Sequence, residues 1–414
     1  LENKDKIEAA IDYQRDYLID FFGLSTLKNG YLLFLPDRPE TQESPQEMWM
    51  RVSLFLNMDN IESALRSYDM MSQKKFTHAT PTLFHAGLER SQMLSCFLIG
   101  MNDSIDGIFD TVKDAALVSK WSGGIGLHVS NIRASGSWIN GTGMKSPGLV
   151  PLMQVLNNTI SYLNKNNKRH SSMAIYIEPW HPDIYDVVEI RSNTGNQDIK
   201  CRDLFTAIWM PDLFMDHVEK DMDWYLFSPD RCPKLSETWG KEFEKEYYNY
   251  VLENKYEKKI KARHLWMHIV KNQIETGTPY IVYKDACNAK SNQKFIGTIR
   301  SSNLCAEIVQ YSDDKQFSCC TLASIGLPAF VKEGIFDFDD FKSTVKQVVR
   351  NLDRVIDLNF YPVERTKTNN HEYRPLGIGV QGLIDVFQDL ELPIESKEAS
   401  ELNEKIFEHL YFAA

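Results

Sequence analysis

The sequence predicts an α/β protein with a mostly helical N-terminal region. Over roughly the first 75 residues, apolar side chains recur at helical spacing with one interruption. From about residue 80, short apolar strand-like runs alternate with amphipathic helical stretches. That alternation favours parallel strands connected through helices.

The elements follow in order. Lys28-Asn29-Gly30-Tyr31 reads as a hairpin-type turn between short apolar runs and supplies the interruption. Ser44-Pro45-Gln46-Glu47 is a capping box with proline at the first helical position. The helix it opens carries Met48, Val52, Phe55 and Leu56 on one face. Ile105, Ile108, Val112 and Ala115 keep three-four spacing, which predicts a helix over 104–120 that Gly123-Gly124 ends. Strands are expected at 125–132, 174–177, 204–210, 280–283 and 377–380, with helices at 241–252 and 264–275 among them. The division falls near residue 90, giving a helical region 1–90 and an α/β region 91–414, without an internal repeat or low-complexity linker.

Composition narrows the function classes. The 414 residues are 43% hydrophobic and 25% charged, ordinary values for a globular chain with a large core. A net charge of −11 without a basic run argues against a nucleic-acid groove or an anionic membrane surface. No apolar run reaches the roughly 18 residues of a membrane span, and the polar start Leu1-Glu2-Asn3-Lys4-Asp5 is unlike a signal peptide. Seven cysteines in this length are no disulfide scaffold and fit a reducing cytoplasm. Leu1 stands where a methionine would begin a chain, and the last residues lie inside the pattern Leu402, Ile406, Phe407, Leu410. Both ends are therefore expected to be cut from a longer protein.

Chemistry starts with the cysteines. Cys96, Cys305 and the adjacent Cys319 and Cys320 each read either as a small buried hydrophobe or as a reactive thiol. There is no Cys-x-x-Cys pair or Cys/His ligand spacing, so no zinc or other metal site is expected. Asn303, Cys305 and Glu307 alternate, and in an extended segment they would face one cleft. A carboxylate beside a thiol disfavours the thiolate but suits hydrogen-atom chemistry, with the sulfur as a neutral radical and the carboxylate as base. In a strand Cys319 and Cys320 face opposite sides, so at most one reaches that cleft. Ser122-Gly123-Gly124-Ile125-Gly126 is either a helix stop or a place for close approach. Thr80-Pro81-Thr82 offers phosphate contacts or a turn, and the polar basic run 164–170 offers nucleotide contacts or a solvated loop.

Taken together the segments resemble one family, the large subunit of class I ribonucleoside-diphosphate reductases of the eukaryotic and large-virus type. The resemblance runs over nearly the whole chain. It is carried by Ala79-Thr80-Pro81-Thr82-Leu83-Phe84, Leu94-Ser95-Cys96-Phe97-Leu98, Gly123-Gly124-Ile125-Gly126 and Ile177-Glu178-Pro179-Trp180-His181. It continues through Glu275-Thr276-Gly277-Thr278-Pro279-Tyr280, Ser302-Asn303-Leu304-Cys305, Cys320-Thr321-Leu322-Ala323-Ser324 and 375–382. It implies part of a ten-stranded α/β barrel of two five-stranded halves, with a radical cysteine on an interior loop. By resemblance, Cys305 is the thiyl site that abstracts the substrate 3′-hydrogen, Glu307 the base and Asn303 the orienting amide. Cys96 and Cys320 are the reducing pair and are expected to be neighbours. Thr80, Ser95, Gly124, Asn303 and Glu307 match substrate-binding positions. Asp103, Ser104, Lys120, Arg133, Asn164 and Arg169 match an effector site, which the resemblance places away from the cysteines at a dimer interface.

The same resemblance implies partners: a ribonucleoside diphosphate substrate, a dNTP or ATP effector, a homodimer, and a thioredoxin- or glutaredoxin-type reductant. The radical would come from a metal-containing small subunit, with no cofactor bound directly to this chain. No ATP cone is expected within these 414 residues. The chain departs from the family in its specificity loop, which is one residue shorter and carries His170-Ser171 where a proline-glycine pair is common. The family's later phosphate contacts, radical-passing tyrosines and tail cysteines would lie beyond residue 414, so this chain alone is expected to turn over no ribonucleotide. Two alternatives stand beside this reading: a cobalamin-dependent or glycyl-radical reductase of the same barrel family, and a non-catalytic nucleotide-binding scaffold.

Overall fold

The computed structural model describes residues 3–35, 37–164 and 170–414. The chain forms two compact units, one of Leu1–Ser95, Cys320–Tyr361 and Asn370–Ala414, the other of Cys96–Cys319 and Pro362–Asn369.

The first unit holds the helical N-terminal region, with helices Lys4–Ala10, Phe21–Gly30, Pro45–Leu56 and Ile61–Ser72 and a 3₁₀ turn at Tyr13–Leu18. The Ser44 capping box forms as its sequence predicts. Glu47 N donates to Ser44 Oγ at 3.2 Å, and Ser44 N donates to the Glu47 carboxylate at 2.6 Å. Met48, Val52 and Leu56 are fully buried and Phe55 partly so. The Asn29-Gly30 expectation is overturned, because these residues end the Phe21–Gly30 helix and neither has a positive φ. Asp20 caps that helix by accepting from Gly23 N at 2.6 Å, and Tyr31 N still donates to Leu27 O at 2.8 Å. A left-handed turn at 29–30 would break this ladder, so the chain reverses later, between antiparallel strands Phe34–Leu35 and Arg38–Gln42. In the same unit Thr321–Gly326 pairs parallel with Leu376–Gln381, the strand expected at 377–380, and antiparallel with Phe76–His78. The Phe338–Leu358 helix packs on the Thr321–Gly326 strand, with Phe341, Val345, Val348, Leu352 and Val355 buried.

The second unit is built on a six-stranded sheet in the order Tyr280–Tyr283, Leu204–Met210, Met173–Ile177, Gly124–His128, Cys96–Ile99, Ser318–Cys319. The first five strands are parallel and the last is antiparallel. Their number and direction are those of one half of the expected barrel. As in other sheets covered on both faces, whole strands are buried, Gly124–His128 and Met173–Ile177 among them. Strands 204–210 and 280–283 have the predicted limits. The 125–132 strand is shorter than predicted and ends at His128. Past it Ile132 N bonds Val129 O in a turn, and the Ser130 hydroxyl accepts from Glu178 N at 3.0 Å. Helices Ile105–Lys120, Gly240–Leu252 and Ala262–Thr276 stand where helical spacing placed them. Among the described residues no helix is long and apolar enough to cross a membrane.

Candidate active site

One face of the six-stranded sheet organises the site. The register sets Cys96 beside Gly124, Gly126 beside Ala174, and Tyr176 and Tyr280 on either side of Ala207. Side chains alternate along strands, so these residues share a face. The segment 299–309 crosses that face, and two glycines make room for it. A Cβ on Gly126 would stand 2.0 Å from Ser302 O, and one on Gly124 3.1 Å from Leu304 Cδ2 and 3.6 Å from Cys96 Sγ. Of the two readings of the glycine run, close approach is therefore realised, and what approaches is the chain's own loop.

The loop is gripped mainly through its backbone. Asn288 donates to Ile299 O at 2.9 Å and accepts from Ile299 N at 2.7 Å, and Trp209 Nε1 donates to Ile299 O at 3.2 Å. Further on, the Tyr176 hydroxyl donates to Asn303 O at 2.6 Å and the Tyr280 hydroxyl to Leu304 O at 2.9 Å. Burial raises both phenols' pKa values, that of Tyr280 to about 12.

The expectation that Asn303, Cys305 and Glu307 project from one side of an extended strand is corrected. Residues 304–306 make a turn, with Ala306 left-handed at φ 66°. The turn folds Glu307 back over Asn303, whose Nδ2 donates to Glu307 Oε2 at 2.6 Å while its Oδ1 accepts from Ile308 N at 3.0 Å. Glu307 Oε1 accepts from the Cys96 thiol at 3.9 Å. Cys96, Asn303 and Glu307 are thus directly connected. Cys305 sits in the turn; both it and Glu307 are exposed in this chain, while Cys96 is buried.

Cys319 pairs opposite Phe97 and so belongs to the other face of the sheet. It is fully buried, and burial, with Cys96 a lesser influence, pushes its thiol well above the usual range. Cys320, Ser95 and Thr80 belong to the first unit. Cys320 and Ser95 are buried, and Thr80 opens the short Thr80–His85 helix with its hydroxyl 3.0 Å from that of Tyr31.

The residues expected to bind an effector separate into two places. Asp103, Ser104 and Arg133 line one cavity of about 350 Å³ with Ile108, Phe109 and Ile139. Arg133 Nε holds Asp103 Oδ2 at 2.8 Å, and Ser104 caps the Ile105–Lys120 helix by accepting from Gly107 N at 3.1 Å. Lys120 is at the far end of that 16-residue helix, about 24 Å away at 1.5 Å per residue. Asn164 donates to Ser171 O at 2.7 Å and accepts from Ser171 N at 2.8 Å. It lines a separate polar cavity with His170, Arg202 and Asp203. Arg169 lies outside the described residues.

Comparison with known proteins decides the family. The family described as ribonucleotide reductase, barrel domain, matches residues 94–414, and that described as ribonucleotide reductase, all-alpha domain, matches residues 17–91. The chain belongs to the ribonucleotide reductase large-subunit family. It is 51% identical over 413 residues to the ribonucleoside-diphosphate reductase large subunit of Vaccinia virus (strain Copenhagen), covering 99% of this chain and 53% of that protein. It is also 51% identical over 416 residues to the Caenorhabditis elegans large subunit and 50% over 417 to that of Danio rerio, covering 100% of this chain and 52% of each. The chain spans about half the length of these curated relatives.

Within this family member, sequence reading passed over three features around the loop. Tyr176 and Tyr280 were legible only as strand residues. Gly126 was legible as a glycine without its purpose. A fully buried ion pair, Lys284 to Glu178 at 2.7 Å, is completed by Trp180 Nε1 on the same carboxylate at 2.7 Å and Leu235 O on the ammonium at 3.0 Å. Burial pushes the Glu178 carboxyl up and the Lys284 amine down. Glu178 directly follows the Met173–Ile177 strand and Lys284 directly follows Tyr280–Tyr283, so the pair ties together the ends of the strands that carry the tyrosines. A glutamate in the Glu178-Pro179-Trp180-His181 motif was the available signal.

Proposed function

We propose that this chain is the catalytic part of a ribonucleoside-diphosphate reductase, which replaces the 2′-hydroxyl of a ribonucleoside diphosphate by hydrogen to supply DNA precursors. The observation that carries the reading is the Cys96–Glu307–Asn303 connection beside the Cys305 turn, in a chain of this family. The helical region 1–90 and the α/β region 91–414 are its two parts. Cys305, as a thiyl radical supplied from a separate metal-containing small subunit, abstracts the 3′-hydrogen. Glu307, aligned by Asn303, accepts the 3′-hydroxyl proton. Cys96 and Cys320 supply two electrons and two protons. One proton leaves with the 2′-hydroxyl as water, the other ends as hydrogen on C2′, and the two sulfurs join as a disulfide. Glu307 and Cys305 return the proton and the hydrogen atom to the 3′ position. Gly124, Thr80 and Ser95 contact the substrate. A thioredoxin- or glutaredoxin-type dithiol resets the disulfide in the cytoplasm.

A dNTP or ATP effector binds through Asp103, Ser104 and Arg133. The separation of Lys120 and Asn164 from that cavity favours a homodimer in which two copies complete each site.

The test uses the full-length protein. Ribonucleoside diphosphate, dithiol reductant and either small subunit or cobalamin are supplied, and deoxyribonucleotide is measured. Product with small subunit, lost in Cys305→Ala while nucleotide binding persists, supports the reading. Product with cobalamin alone, or a Cys305→Ala variant as competent as its parent, overturns it. Thiol mapping after one turnover without reductant should find Cys96 joined to Cys320; a Cys96–Cys319 bond would refute that assignment.

A further inference from the structure

We infer that Tyr176 and Tyr280 are positioning residues for the Cys305 turn: their hydroxyls, gathered over Ala207, fix the two consecutive carbonyls that precede the thiol. The inference rests on the reading above and adds two residues to its site.

The register supplies the device. Tyr176 and Tyr280 both pair with Ala207, one from each neighbouring strand. Two strand spacings separate their backbones by roughly 9.5 Å. The fully buried Ala207 side chain is small enough for the two rings to lean together above it. Their centroids come to 5.9 Å in an edge-to-face arrangement, with the hydroxyl oxygens 3.2 Å apart. That places one donor on Asn303 O and the other on Leu304 O. The Leu304 carbonyl belongs to the peptide bond whose nitrogen is that of Cys305. Tyr280 therefore holds the thiol-bearing residue one bond from its own backbone. Tyr176 holds the carbonyl of the residue whose side chain aligns Glu307. The apolar cluster of Ala174, Tyr176, Ala207, Trp209 and Ile299, with Tyr280 and Leu304 packed against it, buries the Tyr176 bond and partly covers the Tyr280 bond.

Such a grip fixes geometry without touching substrate, so it should act on turnover more than on binding. In the full-length enzyme, Tyr280→Phe and Tyr176→Phe keep the rings and remove only the donors. Each should lower kcat by about tenfold or more, because misplacing a reacting group by even 1 Å is costly. Substrate KM should stay within about twofold, the mark of an interaction that is not ground-state binding. Fluorotyrosine at position 280 restores a donor and should restore kcat at neutral pH. It should lose kcat again as the pH rises through the acidified phenol's ionisation, a profile that tyrosine itself does not give. Wild-type kcat in both phenylalanine variants overturns the inference. So does a parallel fall of kcat, substrate affinity and melting temperature that fluorotyrosine fails to rescue, since that is loss of fold. A parent enzyme that makes no deoxyribonucleotide would instead sink the underlying reading.

Discussion

Gly126→Ala adds one methyl group beneath the loop, and its consequence can be worked from distances. The new Cβ would lie 2.0 Å from Ser302 O, 2.8 Å from Asn303 Cα and 3.0 Å from Ser302 C. A carbon–oxygen contact relaxes to about 3.3 Å, so something must move by about 1.3 Å. The strand cannot retreat easily, because Gly126 lies in parallel ladders with Cys96–Ile99 on one side and Met173–Ile177 on the other. The loop must therefore rise. A shift of that size would stretch the 2.6 Å bond from Tyr176 to Asn303 O to nearly 4 Å, beyond hydrogen-bond range. Overpacking should cost about 1–3 kcal/mol of stability, with about 1 kcal/mol more for the lost bond. Turnover in the full-length enzyme should fall about 100-fold, as for misplacement on the ångström scale. Denaturant unfolding of the variant chain beside its parent, and product formation by the corresponding full-length pair, measure the two effects. Gly30→Ala is the control: its Cβ meets nothing within 4 Å, and its backbone is helical. If Gly126→Ala unfolds and turns over like its parent, the glycine is not what seats the loop.

Three further outcomes follow from the same structure. Lys284→Met leaves the buried Glu178 carboxylate without its ammonium and should cost about 3–5 kcal/mol in denaturant unfolding, whereas Glu178→Gln with Lys284→Met together should cost less; equal losses would show that the charges are not coupled. Burial holds His78 down to about pKa 4, against about 6.5 when unfolded. Stability is thus complete above about pH 6.5 and falls by about 3 kcal/mol as pH drops to about 4, because the unfolded state takes the proton first; an unchanged acid limb in His78→Asn would refute this. Arg133→Ala removes the cation facing the Asp103 cavity and should weaken nucleoside triphosphate binding about tenfold or more by calorimetry, the scale of one charge-assisted hydrogen bond; unchanged affinity would move the effector elsewhere.

Periodicity located the elements because burial imposes it. The 104–120 helix, the Ser44 capping box and the strands at 204–210 and 280–283 each follow from local pattern. Asn29-Gly30 misled because a turn dipeptide inside an already capped helix costs less than abandoning the ladder that Asp20 starts. The Asn303, Cys305 and Glu307 set was legible as a motif, but its arrangement was not. Two-residue alternation predicts a strand, whereas left-handed Ala306 turns the chain so that Asn303 and Glu307 meet. Nothing in one sequence says that Gly126 and Ser302, far apart along the chain, must share one space. Tyr176 and Tyr280 also need the sheet order, because Ala207 sits between them only once three strands are side by side.

That division of labour bears on how the site can be probed. The loop is seated by Gly126 beneath it, by Asn288 and Trp209 at Ile299, and by two phenols on Asn303 O and Leu304 O. These contacts engage backbone, or the space that backbone occupies. Asn303 and Glu307 differ, since each side chain also fixes the turn through the other. Substituting Cys305, exposed in its turn, removes the proposed radical site and should cost less stability than substituting the fully buried Asn303. Asn303→Ala should cost more than that, because it leaves Ile308 N and the Glu307 carboxylate without a shared partner. A lower unfolding midpoint for Asn303→Ala than for Cys305→Ala is therefore expected. If Cys305→Ala were the less stable of the two, the thiol itself would be part of what holds the turn, and its loss of activity could no longer be assigned to chemistry alone.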